Sequence, residues 1–398
     1  MIKFLSILAG IIAASLVFSC DSSLSPEEQP GPGTPGQQAP GEFIILSWSD
    51  IINADAEWKL EKMKEAGFNA YLGWFDTFAE VDAILTSADK LEMKIITSCP
   101  ELETDTKNIV EAMSAHPSLY GYHIEAAPEV SEFSMLSGRI KDIRKYDQEH
   151  PCYVNVYPNW AWGGEDSYLP KLRSFLKTVP VSFLSFDNYP IKMIGGERKV
   201  RDDWFHNLED IRTAANEQKL PFWGVALALA HNTSEASYPV PTIGDLRLQQ
   251  FSNLVYGAVA FQYFTTWGII QNSNVTGVYA DVKRVNEELK QLEKIFLGAE
   301  IKNIWHTGKV IPSGTKKLNA YPSGINSIST GDEGAVVSYF TNNGKKYMAF
   351  VNKSCTGGLD VKIEFKTEAA RVAKDGAESP VEDSYRIPAG DIIIFTWK

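Results

Sequence analysis

The chain has 398 residues, 44% of them hydrophobic and 12% aromatic, which is enough for one large folded domain and a smaller one. Its formal net charge is −12 and no run of Lys or Arg stands out, so nucleic acid is excluded as an expected partner, because phosphate binding needs a basic surface. Cys99, Cys152 and Cys355 are isolated and show no CxxC spacing. They are predicted to be small core residues, and we expect neither a metal site nor a cofactor.

The N-terminus reads as a targeting segment. Lys3 precedes an apolar run over residues 4–18 that is too short to span a membrane comfortably, so residues 1–19 are predicted to be a signal peptide. Residues 17–20, Val-Phe-Ser-Cys, resemble the lipobox of bacterial lipoproteins. The resemblance implies cleavage before Cys20, lipidation of its sulfur and anchoring to the bacterial cell envelope at the outer membrane; an ordinary secretory signal is the alternative.

Residues 20–42 are rich in Pro, Gly, Ser, Gln and Glu and contain almost no large apolar side chain. Such a segment buries too little apolar surface to offset the entropy of ordering it. We predict a flexible tether between the anchored Cys20 and the first folded domain.

A regular alternation of strand and helix begins at residue 43. Short apolar segments predict strands at 43–48, 68–74, 94–99, 119–125, 152–157, 183–189, 222–229 and 258–267. Amphipathic runs predict helices at 57–66, 81–91, 107–115, 133–146, 168–179, 204–218, 243–256 and 278–296. Strict alternation implies parallel strands, and eight repeats in about 250 residues predict a (β/α)₈ TIM barrel over residues 43–298. An open Rossmann-like sheet is the alternative, but no G-x-G-x-x-G follows the first strand.

The sequence changes in character after the last predicted helix. Alternating runs at residues 335–340, 347–351, 360–365 and 392–397 have the length of strands, and Asn342-Asn343-Gly344 is a turn signal between two of them. Residues 299–398 are therefore predicted to form a small C-terminal all-β sandwich.

Side chains at the C-terminal ends of barrel strands face the substrate. The residues at those predicted ends are acidic and aromatic, with few bases, a composition that suits sugars better than phosphates. Glu125 lies two residues after His123, so strand alternation predicts that both point into the barrel. The alternative for Glu125 is a structural role as a partner of His123 or of a backbone group. Asp187, which lies before Pro190, is the second candidate, either as a catalytic carboxylate or as a ligand of a sugar hydroxyl, with a loop-stabilising role as its alternative.

The remaining candidates are side chains that could stack on a sugar ring or bond its hydroxyls. Trp267 is expected to end the last barrel strand as a sugar platform, with core packing as the alternative. The predicted substrate-binding set is Trp48, Trp74, His123, Asn155, Tyr157, Trp160, Asn188, Tyr189, Trp223, His231, Tyr263 and Trp267.

Three stretches carry a family resemblance. They are HPSLYGYHI at 116–124, LSFDNYP at 184–190 and FQYFTTW at 261–267, and they resemble glycoside hydrolase barrels of secreted bacterial lipoproteins. The resemblance covers most of the barrel. It implies a retaining-type (β/α)₈ architecture and a carbohydrate substrate.

The sequence departs from that family at two strand ends. Such proteins commonly carry Asp-Glu-Pro after the fourth strand, with the Glu as proposed acid/base, whereas the matching residues here are Ala126, Ala127 and Pro128. The broader clan places a Glu nucleophile after the seventh strand, and residues 228–232 here read Ala-Leu-Ala-His-Asn. Both departures bear on hydrolysis, because a positioned acid or base typically contributes ~10²–10⁴-fold in rate.

Two hypotheses follow. In the first, the protein is a surface-tethered glycoside hydrolase that uses Glu125 and Asp187 on O-glycosidic bonds. In the second, it is a catalytically inactive barrel that binds glycans or a partner at the cell surface through its aromatic side chains. A purely structural or assembly role is a third reading.

Overall fold

The computed structural model describes residues 42–49, 51, 55–233 and 236–398. The predicted signal peptide, the lipidation site Cys20 and residues 21–41 of the tether lie outside this part of the chain. Within it, no helix is both long enough and apolar enough to cross a membrane.

The first folded region alternates strands with helices. Its strands are β1 Ile44–Trp48, β2 Ala70–Trp74, β3 Lys94–Ser98, β4 Leu119–Ala126, β5 Cys152–Val156, β6 Leu184–Phe186, β7 Ile191–Ile194, β8 Glu197–Val200, β9 Phe222–Leu227, β10 His231–Asn232, β11 Ser237–Tyr238, β12 Ala260–Phe264, β13 Ile270–Gln271 and β14 Asn274–Val275. Its helices are α1 Ala56–Glu65, α2 Phe78–Leu91, α3 Glu101–Thr104, α4 Thr106–Ser114, α5 Phe133–Arg144, α6 Glu165–Thr178, α7 Trp204–Glu217, α8 Ile243–Tyr256, α9 Thr266–Ile269 and α10 Tyr279–Phe296.

Eight of these strands close into a parallel barrel in the order β1-β2-β3-β4-β5-β6-β9-β12. Closure is made by β12, which pairs with β1 in parallel from Ile44↔Ala260 to Ser47↔Tyr263. The predicted (β/α)₈ barrel is confirmed, and the open Rossmann-like alternative is wrong.

Alternate residues of each barrel strand enter two different cores. Leu46, Leu72 and Ile96 belong to a cluster inside the barrel, whereas their neighbours Ile45 and Tyr71 join a larger cluster between strands and helices. This is the two-residue period expected of a strand whose faces are both buried.

Local signals fix the ends of the regular helices. The side chain of Thr77 caps α2 in a capping box with Glu80, and Thr242 does the same for α8 with Asp245. Gly257 then ends α8 in the left-handed conformation, at φ +103°, which a side chain with a Cβ rarely adopts. Residues 243–256 were predicted as a helix with these bounds.

Three small antiparallel hairpins lie in loops that follow barrel strands. β7 pairs with β8 after β6, β10 with β11 after β9, and β13 with β14 after β12. They were not predicted from the sequence. Because these loops follow the C-terminal ends of parallel strands, all three hairpins rise from the same end of the barrel, called the mouth below.

The C-terminal region is a β-sandwich. Its strands are β15 Glu300–His306, β16 Ile325–Thr330, β17 Ala335–Asn342, β18 Lys345–Asn352, β19 Leu359–Phe365, β20 Ala369–Val372, β21 Glu378–Pro380, β22 Tyr385–Ile387 and β23 Ile392–Trp397. A six-stranded sheet in the order β15-β17-β18-β23-β20-β21 faces a three-stranded sheet in the order β16-β19-β22. Val337, Phe350 and Val361 belong to the apolar cluster that joins the two sheets. The predicted sandwich is confirmed.

The larger sheet also packs on the barrel. Phe340 of β17 belongs to the outer barrel core and packs against Phe296 of α10, with ring centroids 4.5 Å apart.

A buried charge network crosses the same boundary between the barrel and the sandwich. Arg247 of α8 donates from Nε to Glu288 of α10 at 2.9 Å, and its Nη1 lies 3.1 Å from Asp391 of the sandwich. Lys374 completes the network at 2.7 Å from Asp391.

Cys99, Cys152 and Cys355 are buried and free, as predicted for small core residues. Burial raises the pKa of the Cys99 thiol to about 11 and that of Cys152 to about 12, so both are neutral at physiological pH.

Candidate functional site

A polar network fills the barrel interior just below the mouth. The Gln262 carboxamide oxygen accepts from the Tyr153 hydroxyl at 2.7 Å and from the Trp48 indole N–H at 3.0 Å. The Gln262 amide then donates to Ser185 Oγ at 2.9 Å, and Ser185 donates to Asn155 Oδ1 at 2.8 Å. All five side chains are buried, so the polar atoms of this network depend on one another as hydrogen-bond partners.

Asp187 lies at the mouth end of this network. Asn155 Nδ2 donates to Asp187 Oδ1 at 3.0 Å, and the other side of Asn155 is fixed by Ser185. Burial raises the pKa of the Asp187 carboxyl to about 6, although hydrogen bonds from Asn155 and Tyr189 oppose the shift. The carboxyl is thus held in one position and titrates near neutrality, which suits either proton transfer or a bond to a ligand hydroxyl.

His123 lies inside the barrel between two aromatic rings. Its ring stacks on Trp74, with centroids 5.0 Å apart, and on Tyr153 at 6.0 Å. Burial, together with a smaller effect of the nearby Arg139 charge, lowers the pKa of His123 to about 4, so the imidazole is neutral. Nδ1 lies 3.4 Å from Ser98 Oγ, while Nε2 is buried without a hydrogen-bond partner among the described residues.

Strand β4 is irregular, and this changes the orientation predicted for Glu125. The register with β5 shifts between His123 and Glu125, so that His123 pairs with Tyr153 but Glu125 pairs with Val154. Ala126 then pairs with Asn155 and packs on the interior cluster. The prediction that alternation brings Glu125 into the inward row of His123 is therefore wrong, because an extra residue in the strand gives that position to Ala126.

Glu125 itself is half-buried. Its Oε1 accepts from the backbone N–H of the next residue, Ala126, at 3.0 Å. Ala127 follows in the left-handed region, at φ +58°. The fourth strand thus delivers small apolar side chains, and not a carboxylate, to the inward position beside Asn155.

Exposed tryptophans surround the mouth. Trp74 at the end of β2 is 38% exposed, Trp160 in the loop after β5 is 38% exposed and Trp267 after β12 is 46% exposed. Trp267 was predicted to end the last strand, but β12 stops at Phe264 and Trp267 lies in the short helix α9. Large apolar side chains left in water at one end of a domain indicate a binding surface.

The hairpin β10–β11 adds a second aromatic group at the mouth. His231 stacks on Tyr238 with centroids 4.5 Å apart, and Tyr189 meets His231 edge-on at 6.1 Å. Tyr189 also stacks on Phe264 at 5.4 Å. His231 and Tyr189, both predicted substrate-binding residues, are therefore neighbours, and both are half-buried.

Carboxylates converge on Tyr157 at the end of β5. Burial raises the pKa of the Tyr157 hydroxyl first, and the charges of Glu129, Glu132, Asp187 and Glu125 raise it further. The side of the mouth formed by β4, β5 and β6 is thus electronegative. No group of three or more His, Cys, Asp or Glu suited to a metal is found in the described part of the chain.

Several predicted contact residues do not reach the mouth. Trp223 is 1% exposed and stacks face to face on Phe183 at 3.8 Å inside the barrel, and Tyr263 is 0% exposed and packs against Phe68 outside it. Trp48 is also buried, as a donor to Gln262. Asn188 is buried and donates to Asn207 of α7. The structure places the side chains of these four predicted substrate-binding residues in the core and not at the mouth.

Ser185 and Gln262, which connect Trp48 to Asn155, were not among the predicted site residues. Each is a polar residue between two large apolar neighbours in a barrel strand, Leu184-Ser185-Phe186 and Phe261-Gln262-Tyr263. A lone polar residue on the inward face of a buried strand needs a partner, and that signal was present.

Comparison with known proteins gives matches of fold only. No family model matches the chain, and no curated protein matches it. Among solved structures, an endo-1,4-beta-mannanase from Rhizomucor miehei aligns at 10% identity and a TM-score of 0.46, over 65% of this chain and 98% of that one. A GH99 endo-alpha-mannosidase from Bacteroides thetaiotaomicron aligns at 9% identity and a TM-score of 0.45, over 63% and 98%.

A third solved structure, an alpha-glucosyl transfer enzyme, aligns at 9% identity and a TM-score of 0.48, over 89% of this chain and 99% of that one. At these identities the likeness concerns the fold alone. The strand order of the chain itself shows the (β/α)₈ barrel that the sequence resemblance implied, followed by the β-sandwich that the alternating runs predicted.

Proposed function

We propose that this protein binds a carbohydrate at the mouth of its barrel. The observation that carries the proposal is Asp187, a carboxyl held by Asn155 with a pKa raised to about 6, at the same barrel end as the exposed indole of Trp74. Aromatic faces pack on the C–H faces of sugar rings, and fixed carboxylates and amides bond their hydroxyls.

The charge of the mouth supports an uncharged ligand. The charges of Glu129, Glu132 and Asp187 all act on Tyr157, and Arg139, whose charge acts on His123, is itself paired with Glu103. An anionic ligand such as a phosphate ester would meet repulsion there, whereas a neutral sugar would not.

The end of β4 favours binding without hydrolysis. Glycosidic cleavage in most families needs two carboxyl groups on either side of the scissile bond. Here the inward position beside Asn155 and Asp187 holds Ala126, and Glu125 has left the inward row. The proposal therefore takes recognition of a sugar, and not its cleavage, as the function that this geometry serves best.

Hydrolysis is the second candidate function, and the pKa of Asp187 is the observation that favours it. A carboxyl that titrates at about 6 is protonated often enough to act as a general acid and ionised often enough to act as a base or nucleophile. Hydrolysis would also need a second carboxyl group. Glu125, whose charge acts on Tyr157 together with that of Glu129, would have to supply it from its half-buried position.

One experiment tests both functions. A glycan array and a panel of aryl-glycosides are probed with wild-type protein, with Trp74→Ala and with Asp187→Asn. Binding that is lost in Trp74→Ala and Asp187→Asn, with no aryl-glycoside cleaved, supports recognition. Cleavage that is lost in Asp187→Asn and in Glu125→Gln supports hydrolysis. If neither binding nor cleavage is detected with wild-type protein on any sugar, both functions are refuted.

We also propose that the folded part of the chain is tethered to the outer membrane through a lipid on Cys20. The proposal rests on the lipobox-like residues 17–20 and on the tether-like composition that follows them. Radiolabelled palmitate should enter the wild-type protein but not Cys20→Ala, which should leave the membrane fraction. Membrane retention of Cys20→Ala would contradict lipid anchoring.

A further inference from the structure

A second cleft lies beside the mouth, between hairpin β7–β8 and the starts of α6 and α7. Its volume is about 240 Å³. That exceeds the ~150 Å³ of an engineered protein cavity that binds benzene, so the cleft has room for one sugar ring. The lining residues that matter here are Glu165, Lys192, Ile194, Arg201, Asp202 and Asp203.

An aromatic ring adjoins this cleft in a fixed position. The guanidinium carbon of Arg201 lies 4.9 Å from the ring centroid of Trp160, and Asp203 holds the same guanidinium through two bonds of 2.9 Å. The loop that carries Trp160 is anchored by its neighbours. Asn159 is buried, and its backbone N–H donates to Asn207 Oδ1 at 2.8 Å.

The anchoring shows that the exposure of Trp160 is not a consequence of a loose loop. Trp162, two residues further on, is fully buried against Phe133 and Tyr168, so the loop already has its hydrophobic anchor. Trp160 is left with one face on Arg201 and 38% of its surface in water. A rigid, half-covered indole costs little entropy when a ligand stacks on it.

The polar groups of the cleft are suited to hydroxyls. Lys192 and Asp202 have no ion pair among the residues that the structure describes, so an ammonium and a carboxylate remain for a ligand. With Glu165 and Asp203, the cleft carries three carboxylates against two cations. This balance disfavours an acidic sugar and leaves a neutral one.

The cleft adjoins Asp187 through the chain itself. β7 begins four residues after Asp187, and the backbone N–H of Arg201 donates to Pro190 O at 2.7 Å. Five residues span at most about 18 Å, so Lys192 lies within that distance of Asp187. A short oligosaccharide can therefore touch both places.

We propose that this cleft is a second sugar subsite, and that the ligand is a neutral oligosaccharide that extends from the mouth across hairpin β7–β8. The inference rests on the proposed carbohydrate binding at the mouth and adds the ligand's length and charge. Trp160 supplies the stacking face of the subsite, and Lys192 and Asp202 supply its hydroxyl partners.

The test is the dependence of affinity on chain length. Cello-, xylo-, manno- and chito-oligosaccharides from disaccharide to hexasaccharide are titrated calorimetrically into wild-type protein, Trp160→Ala and Lys192→Ala. Wild-type affinity should rise with length for one series. The gain in affinity with chain length should be about tenfold smaller in Trp160→Ala, which is the upper end of the effect expected from a single aromatic contact. The reduction should be smaller in Lys192→Ala. Lys199→Ala is the matched control, because Lys199 lies on the same hairpin but pairs with Glu197 outside the cleft lining. The rise should persist in this variant.

The outcomes separate the two proposals. If wild-type protein binds none of the oligosaccharides and no glycan on the array, carbohydrate binding itself is refuted. If it binds them but the rise with length is equal in wild type, Trp160→Ala and Lys192→Ala, the second subsite is refuted while binding at the mouth stands. Tighter binding of oligogalacturonate than of every neutral series would overturn the neutral class of ligand.

Discussion

Replacement of Asp187 by Asn is expected to stabilise the fold at neutral pH while it removes ligand binding. Burial raises the pKa of this carboxyl from 3.8 to about 6. The folded chain therefore holds a proton that the unfolded chain releases between about pH 4 and pH 6, so wild-type stability falls as pH rises through that range. Asn cannot ionise, and its carboxamide oxygen can still accept from Asn155.

The magnitude follows from the pKa difference. A shift of about two units at ~1.4 kcal/mol each gives roughly 3 kcal/mol as an upper bound. Asp187 is half-buried, and water that reaches part of the residue screens its charge, so we expect about 1–2 kcal/mol. Asp187→Asn should then be more stable than wild type by that amount above pH 7 and about equal to it near pH 4.

Urea unfolding at a series of pH values measures this difference, and Asp147→Asn is the control with the opposite sign. Burial alone would raise the pKa of Asp147, but hydrogen bonds from His150 and Tyr122 outweigh it and lower the pKa far below the usual range. Its charge therefore stabilises the fold at every pH above about 4, and Asp147→Asn should be less stable than wild type throughout pH 5–8. An Asp187→Asn variant that is destabilised equally at pH 4 and pH 8 would refute the reasoning.

Other substitutions test the packing and the chemistry of the site. Trp223→Ala should lower the free energy of unfolding in urea by about 3–5 kcal/mol, because it leaves a cavity in the barrel interior. Trp267→Ala removes an exposed side chain and should change the free energy of unfolding by no more than about 0.5 kcal/mol. Equal losses would contradict the placement of Trp223 inside the barrel and of Trp267 at its mouth. Arg247→Met should cost about 3 kcal/mol because it leaves the buried charge of Glu288 less compensated, and a neutral effect would show that packing alone holds the two domains together. Ala127→Glu restores the acid at the position that matches the resembled family. If the absence of this acid is what prevents hydrolysis, the rate of aryl-glycoside hydrolysis should rise by ~10²-fold or more. No rise would mean that further catalytic groups are missing.

The repeating parts of the fold could be predicted because they depend on local pattern. Eight apolar segments alternate with eight amphipathic ones, and each helix such as α8 carries its own cap and stop, here Thr242 and Gly257. The hairpin β7–β8 was also signalled, by Gly195-Gly196 between two strand-forming runs. The hairpin was not found because no element was predicted between residues 189 and 204.

The errors in the site have two different causes. Tyr263 follows the inward Gln262, so alternation already placed it outside the barrel, and Trp223 stands near the start of its strand, far from the mouth end. The alternation of side chains along the strand could have corrected the prediction for Tyr263, and the position within the strand could have corrected that for Trp223. The irregularity of β4 could not, because it depends on how that strand matches the register of β5 across the barrel.

The irregularity of β4 leaves Asp187 without a partner carboxyl in the inward position at the end of that strand. If Asp187 served only to hold its loop, Asn would make the same bond to Asn155 without the cost of a buried charge. The carboxyl is therefore explained better by a ligand that uses its charge or its two acceptor oxygens. The resembled family places the partner carboxyl directly after β4, at the position that Ala127 holds here, and the inward position beside Asn155 is filled by Ala126. A buried carboxylate acceptor without a partner carboxylate fits the proposed function, which is the binding of a sugar without cleavage of its bonds.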